Sequence, residues 1–211
     1  MEELYELLKN PFDGLSKDED IQERCRRIAQ ELFDNYCIKC KEKEYYFAEI
    51  EFYYYEKGKW EEEWNKVTYP RECKAGGLFY HLSGVDICLD SNLRKEKGVF
   101  SGKGGGLLIR SIVDKQDNLT IGPLSCVNKM LNECEGRCMP ILKKGRVRRD
   151  TKPIEAYRFL GSGDFSKILE GKNKDGHLKL AYYDSSIEDT RWNNTRASYL
   201  KRLRYDYKPR H

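Results

Sequence analysis

The eleven residues from Tyr45 to Tyr55, YYFAEIEFYYY, constrain this chain more than any other stretch. Seven of them are aromatic and two are glutamates. Aromatic side chains suit a pleated, half-buried surface, so the run predicts a strand with one face in a core. Period-2 alternation places Ala48, Ile50 and Phe52 on the core face. Phe47, Glu49, Glu51, Tyr53 and Tyr55 then share the other face. Two carboxylates among aromatic rings have two readings. A solvent-exposed face carries such a pair without any function. Alternatively, like charges under aromatic cover raise one pKa, and a poised carboxylate serves as a general base.

The flanking sequence sets this strand in an α+β pattern. Ser16-Lys-Asp-Glu19 has the form of a capping box, and Ile21, Cys25, Ile28 and Leu32 recur at helical spacing, with Arg24, Arg26 and Arg27 off the stripe. Tyr36 to Lys41 reads as a strand joined to the next by a short charged turn. Lys57 to Gly77 is polar and punctuated by Pro70 and Gly76-Gly77, which predicts a long loop of the kind that often carries function. Leu78 to Leu89 alternates like one strand, with a bend or bulge at Gly84. Gly102-Lys-Gly-Gly-Gly106 reads as a hairpin turn before a strand from Leu107 to Val113. Leu124, Val127, Met130 and Leu131 have helical spacing. Tyr157 to Gly161 and Leu178 to Tyr183 read as further strands, and Asp189 to Arg204 has helical character. Hairpin-length connections predict mostly antiparallel pairing in a single domain over residues 1–211.

Composition narrows the functional classes. Charged residues make up 35% of the 211, mean hydropathy is -0.82, and no run approaches the roughly 18 apolar residues of a membrane span. The opening MEELYELLKN is acidic and amphipathic, unlike a signal peptide, so the expectation is a cytoplasmic protein with eight reduced Cys and no membrane partner. Residues 1–63 carry 10 Lys/Arg against 18 Asp/Glu, a balance of -8, while the remainder carries 29 against 17, a balance of +12. Such polarity is either solvated surface or a basic face turned toward a polyanion.

Other features are weaker. Cys37-x-x-Cys40 with Cys134-x-x-x-Cys138 is a conceivable zinc set, but residues three apart on a strand point to opposite faces, which favours free thiols. The glycine run lacks the Lys-Ser/Thr ending of a phosphate-cradling loop. His81 fits a satisfied core position or a pocket wall. Asp86, between Val85 and Ile87, reads as an exposed strand position, with a second pocket carboxylate as the alternative. Trp60, Trp64 and Trp192 read as core anchors, although Trp192 beside Arg191 and Arg196 also suits a nucleic-acid contact.

Taken in order, several motifs resemble the alkyladenine (3-methyladenine) DNA glycosylase family. Arg27-Ile-Ala-Gln-Glu-Leu leads into Phe47-Ala-Glu-Ile-Glu-Phe-Tyr53, where Glu49, Glu51 and Tyr53 fall on that family's two Glu and its Tyr. Leu78 to Asp90 resembles its aromatic strand, Tyr-Gly turn and following strand. Gly106-Leu-Leu-Ile-Arg-Ser-Ile112 places Arg110 on its strand Arg, Gly122-Pro-Leu resembles its helix start, and Ala156-Tyr-Arg-Phe-Leu160 its closing strand. The match spans roughly residues 25 to 160.

The resemblance implies a curved antiparallel β-sheet with surrounding helices, and a DNA glycosylase that releases a modified or damaged purine in base excision repair, acting as a monomer without metal or cofactor. A nucleotide is flipped from DNA into a pocket, at an unstacking cost of about a few kcal/mol. Glu51 would activate water for attack at the sugar C1′, and Arg110 would help hold that water. Tyr53 would stack on the base, Tyr80 or His81 would form the opposite wall, and Glu49 and Asp90 would line the pocket. Lys143, Lys144, Arg146, Arg148, Arg149 and Arg196 would meet phosphates. The chain departs from the family at three places: Glu62 stands near the family's base-stacking His, Ser83 at its DNA wedge Tyr, and Asp90 at its pocket-floor Asn. Two alternatives follow: a nucleic-acid-binding module without catalysis, and an N-glycosidase acting on nucleosides or RNA.

Overall fold

A computed structural model describes residues 2–15, 18–58, 69–145, 153–160 and 177–187. Ser16, the three Trp, Asp189 to Arg204 and the basic residues Arg146, Arg148, Arg149 and Arg196 lie outside these, as does Glu62. In chain order the elements are α1 (Glu2–Lys9), α2 (Asp18–Asn35), β1 (Tyr36–Cys40), β2 (Lys43–Glu56), β3 (Arg71–Cys73), β4 (Leu78–His81), β5 (Gly84–Cys88), β6 (Ser91–Glu96), β7 (Val99–Ser101), β8 (Lys103–Val113), β9 (Leu119–Ile121), α3 (Pro123–Cys134), β10 (Ile141–Lys144), β11 (Pro153–Leu160) and β12 (His177–Asp184). The architecture is α+β, with a strongly curled antiparallel sheet.

The aromatic run becomes the spine of that sheet. Strand β2 pairs along most of its length with β8, while its opposite edge is shared by β1, at Lys43 to Tyr45, and by β12, at Glu49 to Glu51. The strand order is β10-β1-β2-β8-β5-β4, with β12 and β11 extending from β2 and β9 attached to β8. Every residue from Tyr45 to Tyr55 is buried. Phe47, Ile50, Phe52 and Tyr54 enter the main core, where Phe33 meets Phe47, Phe12 meets Tyr54, and Tyr182 meets Phe52 edge-on at 5.7 Å. Helix α2 covers this face with Cys25, Ile28 and Leu32 of the expected stripe, joined by Ala29 and Phe33, and α1 adds Leu4 and Leu8. Each such fully buried Leu, Ile or Phe contributes about 1.5–3 kcal/mol.

Four local expectations change. Leu78 to Leu89 is two strands rather than one bent strand: β4 and β5 form a hairpin turned at Leu82-Ser83, with His81 opposite Gly84. The polar stretch expected to be a loop contains β3, which joins β6 and β7 in a separate three-stranded sheet. Only Gly102 of the glycine run is in a turn, at φ 82°, whereas Gly104, Gly105 and Gly106 lie inside β8. The reason is close approach: a Cβ on Gly105 would sit 2.2 Å from the Tyr53 carbonyl oxygen, and one on Gly104 would sit 2.9 Å from Leu93 Cβ on the small sheet. Helix α3 buries Cys126, Met130 and Cys134 and leaves Leu124 exposed, so its inner face is rotated from the expected Leu124 stripe.

Candidate active site

The alternation predicted for β2 breaks at one point, and the break builds the site. Phe47 pairs with Ile112, Glu49 with Ser111 and Ile50 with Ile109, which leaves Ala48 on β2 and Arg110 on β8 unpaired. Compensating bulges of this kind re-aim side chains without losing the register beyond them. Phe47 therefore turns into the main core instead of joining the glutamate face, and Ala48 moves to a small cluster with Tyr46, Val113 and Tyr183. On β8 the bulge brings Arg110 and Ser111 together to Glu49. Arg110 Nε donates to Glu49 Oε1 at 3.2 Å and Ser111 Oγ donates to Glu49 Oε2 at 3.3 Å. Arg110 Nη1 forms an ion pair with Glu51 Oε2 at 3.3 Å. One guanidinium thus spans both carboxylates, and all three side chains are at most 12% exposed. A planar fork of donors is suited to that geometry.

A second polar group stands on the same sheet face. Glu51 and Asp86 are both antiparallel partners of Leu108, from β2 and β5, and in-register residues on neighbouring strands point to one side. Asp86 is fully buried. The Tyr53 hydroxyl donates to its Oδ2, Arg71 Nη1 donates to the same oxygen at 2.9 Å, and Arg71 Nη2 donates to the Tyr53 hydroxyl at 2.6 Å. His81 Nε2 lies 3.0 Å from Asp86 Oδ2, but off the line of a hydrogen bond. Among the described residues, the Asp86 Oδ1 atom has no hydrogen-bond partner. Space for the cluster comes from the glycine run, because a Cβ on Gly106 would stand 3.0 Å from Asp86 Cβ and 3.2 Å from Arg71 Nη1.

Two influences oppose each other at Asp86. Arg71 and Tyr53 favour the carboxylate, whereas burial, followed by the field of Glu51, raises its carboxyl well above the usual range. Burial and the Glu51 field prevail, so the proton is favoured on Asp86. His81 does not hold it: burial, then Arg71, pushes the imidazole down to about 4. The Ser83 N–H donates to His81 Nδ1 at 3.2 Å, which assigns the neutral ring's hydrogen to Nε2.

The expected site residues separate accordingly. On β4, Phe79 and His81 take the polar face, where Tyr69 stacks on His81 at 4.7 Å and Phe79 lies at 5.9 Å. Tyr80 packs against the main core, where burial raises its phenol to about 12, so of the two it is His81 that shares the polar face with the carboxyls. Tyr53 is on the expected face, but the Arg71 guanidinium covers its ring at 5.1 Å. Asp90 lies past the end of β5, where its N–H donates to the Leu8 carbonyl at 3.0 Å, and the structure does not bring it to the cluster. Ser83 is exposed in the hairpin turn, its hydroxyl 3.0 Å from the Tyr69 hydroxyl. Lys143 and Lys144 are exposed on β10, at the opposite end of the strand order from β4.

Asp86 corrects the exposed position expected of it. Arg71 has no counterpart among the expected residues, because only the pairing of β3 with β6 brings it in. A buried Asp demands a cation, and that demand is the one signal that points to an arginine here. No group of three or more His, Cys, Asp or Glu among the described residues is placed to hold a metal ion. Cys37 and Cys40 join different core clusters, as strand alternation requires, and none of the eight Cys is in a disulfide.

The arrangement offers a carboxylate held by an arginine, a second carboxyl across one strand, and a wall of aromatic rings. Comparison with known proteins finds no match among family models, curated proteins or solved structures.

Proposed function

We propose that this chain hydrolyses an N-glycosidic bond, releasing a modified or damaged purine base from DNA after flipping the nucleotide out of the stack. The observation that carries the reading is the Arg110 bridge between Glu49 and Glu51 on a sheet face lined by aromatic rings. Glu51 accepts the proton of an attacking water, and Arg110 fixes that carboxylate and the water against it. Glu49, held by Arg110 and Ser111, keeps the guanidinium in place. The ordered motifs shared with the alkyladenine glycosylases support the same assignment. Lys143 and Lys144 supply exposed positive charge for phosphates. The protein works in the cytoplasm as a monomer, and the chemistry needs no metal or cofactor.

The test is base release from duplex and single-stranded oligonucleotides carrying alkylated, deaminated and etheno purines, with Glu51→Gln beside the wild type. Release by the wild type alone establishes the activity. One observation favours a second reading, a binding module without catalysis: the Arg71 guanidinium already lies over the Tyr53 ring. Salt-dependent DNA binding by both proteins, with no base released by either, decides for the module.

A further inference from the structure

We propose that Cys73 and Cys88 are a thiol redox site, converted by a small-molecule disulfide such as glutathione disulfide into a covalent crosslink between β3 and β5. The inference stands apart from the glycosidase reading, and its test needs no substrate.

Two successive rungs between the strands carry the argument. Arg71 on β3 meets Asp86 on β5 in an ion pair at 2.9 Å. Two residues further along each strand stand Cys73 and Cys88, and residues two apart on a strand share a face. The second rung is therefore a pair of thiols. They hydrogen-bond, with the Cys88 S–H donating to the Cys73 sulfur. The turn between β3 and β4 holds them there. The Gly77 N–H donates to the Lys74 carbonyl at 3.0 Å, and the Cys88 N–H donates to the Gly77 carbonyl at 2.8 Å. A Cβ on Gly77 would stand 3.0 Å from Cys73 Sγ, so glycine leaves the sulfur room against this turn.

The two thiols divide the steps of a disulfide exchange between them. Cys73 is half-buried and Cys88 is fully buried. The hydrogen bond from Cys88, opposed by burial and aided by Arg71, lowers the Cys73 thiol below its ordinary range, while Asp90 works the other way. Donating that hydrogen bond, and then burial, raises the Cys88 thiol. A lowered thiol in reach of solvent, beside a resolving Cys, is the arrangement of a redox-sensing site. The Cys73 thiolate attacks one sulfur of glutathione disulfide, forms a mixed disulfide and expels one glutathione thiolate. The Cys88 sulfur then attacks the Cys73 sulfur. The Cys73–Cys88 bond forms, and the Cys88 proton leaves with the second glutathione as its thiol. Two electrons pass from the protein to the oxidant, and excess glutathione reverses both steps. The crosslink fixes the small sheet to the main sheet beside Arg71 and Asp86.

The experiment equilibrates the full chain in glutathione buffers from reducing to oxidising, traps free thiols by alkylation and maps the products by mass spectrometry. Cys73 and Cys88 should lose their thiols together, in one linkage, before any other Cys reacts. The crosslink closes a loop of about 15 residues, so the melting temperature should rise by about 6–12 °C and return on reduction. Cys88→Ala removes the resolving thiol, and Cys73 should then accumulate as its mixed disulfide with glutathione. The wild-type map decides the matter even where that variant does not fold. Earlier linkage of Cys134 to Cys138, whose thiols also hydrogen-bond, overturns the assignment. So does a Cys73–glutathione product that persists in the wild type, or free thiols at Cys73 and Cys88 when glutathione disulfide predominates. A linkage that lowers the melting temperature forms only by distorting the fold and overturns it as well.

Discussion

Leu108 has Glu51 as its antiparallel partner on one side and Asp86 on the other. The two carboxyls are therefore coupled through the sheet itself, and Glu51 is the charge that adds to burial in raising Asp86. Replacing Glu51 by Gln removes that field and shifts the Asp86 titration downward. Carboxyl 13C shifts followed against pH check this. An Asp86 midpoint unmoved by Glu51→Gln means that the two groups do not sense each other.

Arg110 holds two buried carboxylates at once. Arg110→Ala leaves both without that cation, and removing one partner from a buried ion pair costs about 3–5 kcal/mol. Arg110→Lys keeps the charge but loses the fork that reaches Glu49 and Glu51 together, so it recovers only part of the loss. Urea denaturation of the three proteins measures the order wild type, Lys, Ala.

The Tyr53 hydroxyl donates to Asp86 and accepts from Arg71. Tyr53→Phe leaves the ring and the Arg71 contact in place while stripping the hydroxyl from a fully buried network, a loss of about 1–3 kcal/mol. Thermal unfolding should show a drop of several degrees for a chain of this size, about 2–4 °C per kcal/mol. A melting temperature equal to wild type would show that water replaces the hydroxyl.

His81 gives stability a defined pH dependence. Its folded-state value of about 4 lies below the ordinary 6.5, so the unfolded chain takes up the proton first. The favourable contribution of neutral His81 is complete above about pH 6.5 and is lost as pH falls toward 4. Asp86, shifted upward, works in the opposite sense over part of that window: its contribution is greatest below the ordinary carboxyl range and fades as pH rises. The difference between wild type and His81→Gln isolates the histidine. Between pH 7 and 4 the unfolding free energy of the wild type falls relative to the variant, and a constant difference across that range contradicts a buried neutral imidazole.

Much of this could be read before the fold was known, and the exceptions share one cause. The β1–β2 hairpin, the α2 stripe and the shared face of Glu49 and Glu51 follow from local periodicity. The bulge at Ala48 and Arg110 does not, because it is decided by the fit between two strands some sixty residues apart, and it sends Phe47 to the opposite face from the one alternation gives. Asp86 reads as an outward position because its neighbours Val85 and Ile87 are apolar. It is inward because the far side of β5 is also covered, by Tyr53 and Arg71. Arg71 sits in a polar stretch with no periodic signal, and only the β3–β6 pairing delivers it.

The glycine run in β8 sharpens the same point. Gly105→Ala brings a methyl group to 2.2 Å from the Tyr53 carbonyl oxygen. The two longest strands of the site would have to part, at a cost of about 1–3 kcal/mol or more. The variant should melt well below wild type, whereas Gly98→Ala, where a Cβ meets nothing within 4 Å, loses only what its left-handed backbone costs.

One wall of the site is anchored far more firmly than the other. From Glu49 to Glu51, strand β2 is bonded on one edge to β8 and on the other to β12, so the carboxylates ride on backbone that must break two ladders to open. His81 and Phe79 ride instead on β4, which ends the strand order and, among the described residues, is secured along β5 alone. Amide hydrogens around Glu51 should therefore exchange last and those of β4 early. Any breathing of this face then moves the aromatic wall, while Glu51 keeps its place.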